Sequence, residues 1–173
     1  MFDLSKRCFL ESLRIRQKLF GKNHKDVAIL WYNIATINFE TGDHDRAIRM
    51  YKEALRVERS VLGDDHPDVV LTLQHIGQVH QQLGRCEEAL RYFLEALKIE
   101  KGRTNSANRI LAQILNLSGN LHLQLGQTEE MMSCFVEASR IYANVNQPEE
   151  TLTIAGYNLY GLSKTNPPCA AVA

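Results

Sequence analysis

Apolar residues recur along the chain at helical spacing, in segments of similar length. In one segment Val27, Leu30, Ile34 and Ile37 fall three or four positions apart, which places them on one face of a helix. Gly42 follows, and glycine readily adopts the left-handed conformation that ends helices. A second amphipathic segment then covers residues 47–61. The pattern predicts two helices joined by a tight turn.

This two-helix pattern repeats with a constant stride. The stretch "GKNHKDVA" begins at Gly21 and "GDDHPDVV" begins at Gly63, 42 positions later. The sequence "EALRV" at 53–57 becomes "EALKI" at 95–99 and "EASRI" at 137–141, and "ESLRI" at 11–15 is an earlier copy. Such self-similarity predicts an array of helical hairpins that bury their apolar faces by stacking.

The stretches between the repeats have the features of helix boundaries. Gly63 is expected to end one hairpin, and Pro67 suits the first position of the next helix, where the missing amide hydrogen has no intrahelical partner. His66 or Asp65 is expected to cap that helix. The alternative, a ligand role for His24 and His66, is disfavoured because their spacing matches no metal motif.

Small residues are expected where the two helices of a hairpin approach closely. Helices reach the short end of the ~8–10 Å range of interaxial distances only where side chains are small. Met131 is the exception, and Ser118 is expected to leave room for it. The predicted facing positions are Ala35, Gly77 and Gly119 in the first helices and Ala47, Ala89 and Met131 in the second helices.

Composition and charge favour a soluble protein without a nucleic-acid or membrane partner. The chain has 20 basic and 20 acidic side chains, so no basic excess points to nucleic acid or anionic lipid. No run approaches the ~18 apolar residues of a membrane helix. Charges interrupt the first residues, which argues against a secretory signal. The four cysteines form no C-x-x-C pair and are expected to be reduced thiols in the cytoplasm.

No motif predicts catalysis. The six histidines form no H-E-x-x-H or similar metal set, and no phosphate loop or G-x-S-x-G sequence is present. Cys86 stands near a predicted helix start, where a thiol pKa can fall, but a structural role is favoured over a nucleophile. We therefore expect a protein that is not an enzyme and that needs no cofactor or metal.

Residues 31–57, "WYNIATINFETGDHDRAIRMYKEALRV", resemble the consensus of the tetratricopeptide repeat (TPR). The basic repeat of that family has 34 residues. The longer stride and the G-x-x-H-P-D-V sequence are similar to the kinesin light chain type of repeat, also seen in nephrocystin-like proteins. Asn38, His80 and His122 depart from the family at a position that usually holds an aromatic residue. The matching signature positions are Trp31, Ile34, Ala35, Ala47, Tyr51 and Ala54.

The resemblance implies an all-α TPR solenoid, a right-handed superhelix of antiparallel helix pairs, over residues 1–163. Its expected parts are the second helix of a partial repeat at 3–20, repeats at about 26–62, 67–101 and 107–143, and the first helix of a partial repeat at 149–163. Residues 164–173 contain two prolines and are expected to form a disordered tail.

The resemblance also implies a function. The first helices of the repeats would line a concave groove, and the chain would be an adaptor or scaffold that binds a peptide or helix of a partner protein there. Neutral amides dominate this face and can pair with a peptide backbone. The basic clamp that captures chaperone carboxylates is missing, so chaperone-tail binding is not expected. The predicted groove residues are Tyr32, Asn33, Thr36, Phe39, Gln74, His75, Gln78, Gln82, Gln113, Asn116, Asn120 and Gln124.

Two alternatives stay open. The groove residues could be solvated polar side chains with no ligand. The chain could also be a structural spacer or a self-assembling array that forms homo-oligomers through its uncapped ends, since terminal repeats of solenoids usually need polar caps.

Overall fold

The computed structural model describes residues 2–103 and 108–144, and this part of the chain contains helices and no strand. The predicted helix at 149–163 and the predicted tail at 164–173 lie outside the described residues. The helices are α1 (Phe2–Phe20), α2 (Lys25–Glu40), α3 (His44–Leu62), α4 (Pro67–Gln82), α5 (Cys86–Gly102), α6 (Asn108–Gln124) and α7 (Thr128–Asn144).

The chain divides into two compact units, residues 1–79 and residues 80–173. In the first unit, α2 and α3 form a hairpin around the turn at Gly42, whose φ of 79° is in the left-handed region. The Asp43 side chain caps α3 by accepting a hydrogen bond from the Arg46 amide at 3.3 Å. The turn predicted at Gly42 is therefore confirmed.

The apolar stripe of α2 is the centre of the first unit. Leu13 of α1 packs with Val27, Leu30 and Ile34 of α2 in one buried cluster. On the other side of the hairpin, Tyr51 and two alanines of α3 are fully buried. Burial of a large apolar side chain is worth ~1.5–3 kcal/mol, so this stripe contributes strongly to the stability of the unit.

Histidines cap the helices that start after the inter-repeat glycines. The Nδ1 atom of His24 accepts a hydrogen bond from the Asp26 amide at 3.2 Å, and Nδ1 of His66 accepts one from the Asp68 amide at 3.1 Å. Each histidine directly precedes the first residue of its helix. The prediction that these stretches are helix boundaries, with His66 as a cap, is confirmed.

In the second unit, α6 and α7 form the corresponding hairpin. A Cβ atom added to Gly119 would lie 2.6 Å from Cε1 of Phe135, closer than real side chains approach. The nearest side chain to this glycine is thus Phe135, which lies one helical turn after Met131, the residue predicted to face it. The stride along the sequence fixes which helices pair, but the contact depends on how each helix is rotated.

Candidate functional site

In the first unit, the predicted groove residues of α2 are buried to a similar extent. Tyr32, Asn33, Thr36 and Phe39 are all half-buried. They recur at intervals of one, three and three positions, so they lie along a single side of the helix. A half-buried side chain can contact both the protein interior and a ligand.

The predicted residues of α4 differ in exposure. His75 and Gln78 are half-buried, whereas Gln74 is only 8% exposed. We call Tyr32, Asn33, Thr36, Phe39, His75 and Gln78 the polar face of the first unit. Gln74 is left out of this face because its side chain has little surface to offer a partner.

Tyr32 of α2 and His75 of α4 are joined by a hydrogen bond. The Tyr32 hydroxyl lies 3.3 Å from both ring nitrogens of His75. Nδ1 of His75 also lies 2.9 Å from the carbonyl oxygen of Leu71. A carbonyl only accepts, so Nδ1 donates to Leu71. Nε2 is then free to accept from the Tyr32 hydroxyl, which fixes the imidazole tautomer.

The ring of Tyr51 of α3 packs against the rings of both Tyr32 and His75. Its ring centroid lies 5.4 Å from that of Tyr32 and 5.6 Å from that of His75, and its hydroxyl lies 3.0 Å from Oγ1 of Thr36. Tyr51 is fully buried, and the hydroxyl groups of both tyrosines belong to one polar network with Thr36 and His75.

The two phenols of this network resist ionisation. Burial, with smaller contributions from Tyr51, Glu58 and Asp68, raises the pKa of Tyr32 to about 12. Burial also raises the pKa of Tyr51, although the Thr36 hydrogen bond opposes the shift. Both phenols therefore stay protonated and can recognise hydrogen-bonding groups, but they are poorly suited to acid–base catalysis.

A buried carboxyl group lies under the same face and was not predicted from the sequence. Glu58 of α3 is 4% exposed, and its Oε1 accepts a hydrogen bond from the Thr72 hydroxyl of α4 at 3.0 Å. The available signal was the apolar periodicity of α3, which places Glu58 among inward positions. A glutamate at such a position is usually expected to point to solvent.

The second unit holds the remaining predicted residues. Gln82 and Gln113 are exposed, and Asn116, Asn120 and Gln124 are half-buried. Oε1 of Gln124 lies 3.3 Å from Sγ of Cys86. Each of the three half-buried amides belongs to α6, so they form a candidate face of this unit on its own.

The cysteines do not support a nucleophile. Cys8 and Cys134 are free, and burial and the carboxylates of Glu137 and Glu130 raise the Cys134 pKa, although Lys101 opposes this. Cys86 is only 4% exposed, and its Sγ is directed at the Gln124 side chain.

Two further features were checked in the part of the chain that the structure describes. Its histidine, cysteine and acidic side chains form no group of three or more that could hold a metal ion. Within the same residues, every helix is too short or too polar to cross a membrane.

Comparison with family models relates the sequence to a repeat family. Models described as tetratricopeptide repeat match residues 1–59 and 26–101, and another with the same description matches residues 112–145. No curated protein sequence is significantly similar to the chain.

Solved structures share its fold at low sequence identity. BtubC (BKLC) from P. vanneervenii is 20% identical with a TM-score of 0.79, over 99% of this chain and 63% of that one. The chain thus spans less than two thirds of that relative. The nearly identical TPR-like repeats of a putative Podosopora anserina kinesin light chain are 14% identical with a TM-score of 0.75, over 94% and 80%. PcrH, solved in complex with the chaperone binding region of PopB, is 20% identical with a TM-score of 0.60, over 79% and 95%.

Proposed function

Because the chain belongs to the tetratricopeptide repeat family and has its all-α solenoid fold, we propose that it is a non-enzymatic protein-interaction module. In this proposal it binds a peptide segment or a helix of a partner protein and acts as an adaptor or scaffold in the cytoplasm. The family and fold predicted from the sequence are confirmed, and the proposal concerns the ligand.

The observation that carries the proposal is the polar face of the first unit. Its half-buried side chains offer amide, hydroxyl and imidazole groups, which can pair with the backbone of a bound segment. The Tyr32–His75 hydrogen bond and the rings around it hold part of this face in a fixed arrangement. A preorganised surface loses less entropy when a ligand binds.

The solved relative PcrH supports the same class of ligand. Its structure contains the chaperone binding region of PopB, a segment of another protein. At 20% identity this likeness extends to the fold alone. We therefore propose for this chain only the general mode, in which a segment of a partner lies on first-helix side chains, and we take the α6 face of the second unit as a further contact surface.

The first prediction tests the polar face directly. Asn33→Ala combined with Gln78→Ala removes two half-buried amides. We expect ~10-fold weaker partner binding, because each lost hydrogen bond is worth ~0.5–1.5 kcal/mol. Partners captured by the native chain and by the variant are compared by quantitative mass spectrometry, and the affinity for a captured partner is then measured by calorimetry.

The control variant is Arg49→Ala with Lys52→Ala, which truncates two exposed side chains of α3. It should bind partners as the native chain does. An identical partner set and affinity for all three proteins would contradict the proposed face, provided that their melting temperatures agree.

The second candidate function is self-assembly, and exposed apolar residues of α1 favour it. Leu19 is 69% exposed and Phe20 is 52% exposed, and contiguous apolar surface often marks an interface. Light scattering during size-exclusion chromatography separates the two functions. An oligomer that Leu19→Glu converts to a monomer would support self-assembly.

A further inference from the structure

Glu58 is a carboxyl group buried where α3 contacts α4. Its side chain accepts the Thr72 hydrogen bond through Oε1, while Oε2 is buried and has no hydrogen-bond partner among the described residues. An ionised carboxylate needs several donors to offset its lost hydration, and one hydroxyl group supplies a single donor. The geometry is therefore better suited to the protonated acid.

The surrounding groups act in the same direction. Glu58 interacts electrostatically with Tyr32 of α2 and with Asp68 of α4. Tyr32 stays neutral and Asp68 adds negative charge. Burial is the largest cause and Asp68 a smaller one, and together they raise the pKa of Glu58 to about 7 against the Thr72 hydrogen bond, which lowers it.

The next repeat has a buried glutamate at the same position, but there the carboxylate is paired with an arginine. Glu100 lies 42 positions after Glu58 and is 1% exposed, and the Nε atom of Arg103 lies 3.7 Å from its Oε2. Arg103 corresponds to Val61 in the earlier repeat, again 42 positions away. The first unit therefore has a valine where the second has the cation that pairs with the buried acid.

We propose that Glu58 is a proton-binding site that controls the contact between α3 and α4, which is firm when the carboxyl carries a proton and weaker when it is ionised. The proton is exchanged with water, and no other group takes part. Ionisation leaves a buried charge with one hydrogen bond, and such a charge destabilises the folded state. Thr72 lies three positions before His75 on α4, so the weakened contact is within one helical turn of the polar face.

The sign of the pH dependence follows from linkage. The pKa of Glu58 is about 7 in the folded chain and about 4.5 for an unperturbed glutamate. Between these values the folded state holds a proton that the unfolded state has released, so stability falls as pH rises. The contribution of the protonated acid is fully present below pH ~4.5 and is lost as pH passes through ~7.

The direct test is a carbon-13 NMR titration of the side-chain carboxyl groups of the native chain, with Glu58 assigned through its own side-chain connectivity. We expect a midpoint near pH 7 for Glu58, while exposed Glu53 serves as an internal reference with an ordinary midpoint. A Glu58 midpoint below pH 5.5 would overturn the proposal. No substitution is needed for this measurement, so folding of variants does not limit it.

The second test imitates the neighbouring repeat. Val61 is 41% exposed, so Val61→Arg can place a guanidinium beside Glu58 as Arg103 is placed beside Glu100. We expect the Glu58 midpoint to fall by at least one pH unit. We also expect the melting temperature of the variant, relative to the native chain, to rise between pH 5 and pH 8. A midpoint and a pH profile unchanged by the arginine would contradict the proposal.

Both readouts are made on the chain alone. They are independent of whether the polar face binds a partner, so a failure of the proposed function and a failure of this proposal are distinguishable.

Discussion

At the scale of single residues, equivalent positions of the repeats hold buried polar side chains that make different local contacts. Asn38, His80 and His122 lie 42 positions apart and are all buried. Asn38 donates to the Ile34 carbonyl oxygen at 2.8 Å, and Nδ1 of His122 lies 2.6 Å from Oε1 of Gln127. The ring of His80 stacks on Tyr92. A shared backbone frame thus tolerates polar side chains where each finds its own local partner.

The capping histidines give a prediction at this scale. His66→Ala removes the acceptor of the Asp68 amide at the start of α4. Loss of an N-cap side chain costs ~0.5–2 kcal/mol, so we expect the free energy of unfolding to fall by ~1 kcal/mol in urea titrations.

His66→Asn is the matched control for this cap. Asparagine is a good N-cap residue, so this variant should keep most of the native stability. If His66→Asn lost as much stability as His66→Ala, the lost interaction would not be the cap. Equal stability of all three proteins would mean that the cap contributes nothing.

Residue-scale features were only partly predictable from the sequence. The role of His66 followed from local order along the chain, with a glycine before it and Pro67 after it. The burial of Gln74 and the contact of Glu58 with Thr72 depend on how α3 and α4 are rotated against each other. Apolar periodicity shows which side of a helix faces the interior, but it does not fix the rotation of the helix closely enough to separate a groove position from a buried one.

At the scale of helices, the hairpin of the second unit depends on one close approach. Gly119 of α6 leaves space that the Phe135 ring of α7 occupies, and Phe135 is half-buried there. Self-similarity of the repeats correctly identified Gly119 as a close-packing position. It did not identify Phe135 as the side chain nearest to Gly119, because a stride of 42 residues aligns repeats with one another and carries no information on the contact inside a hairpin.

A double-mutant cycle tests this contact. Gly119→Ala gains up to ~1 kcal/mol of helix propensity but forces the ring to move, at a typical cost of ~1–3 kcal/mol. We expect a net loss of ~0–2 kcal/mol in the free energy of unfolding. With Phe135→Leu already present, Gly119→Ala should cost less or become stabilising. Additive effects of the two substitutions in urea unfolding would show that the two positions do not interact.

At the scale of the whole molecule, the fold was predictable and the ligand was not. A repeated consensus occurs several times in one chain, so the tetratricopeptide repeat family was recognisable from the 42-residue stride and from signature positions such as Ala47 and Tyr51. A partner is selected by a few surface side chains that differ among members of one fold. Asn33 and Gln78 are such candidates, and only binding measurements assign them a role.

The balance of charge gives a prediction for the intact chain. With 20 basic and 20 acidic side chains, its net charge is zero at pH 7, and proteins associate most readily where their net charge vanishes. We expect the lowest solubility near pH 7 in polyethylene glycol precipitation at low salt. Lys22→Glu leaves 19 basic against 21 acidic side chains, a net charge of −2, and should move the minimum to lower pH.

Glu87→Lys is the opposite variant, with 21 basic against 19 acidic side chains and a net charge of +2, and should move the minimum to higher pH. Both side chains are exposed, so neither change should disturb the core. Opposite displacements of the minimum would show that overall charge controls association. If both variants kept the native profile, association would instead arise from a local surface such as the apolar residues Leu19 and Phe20 of α1, whose exposure is independent of net charge.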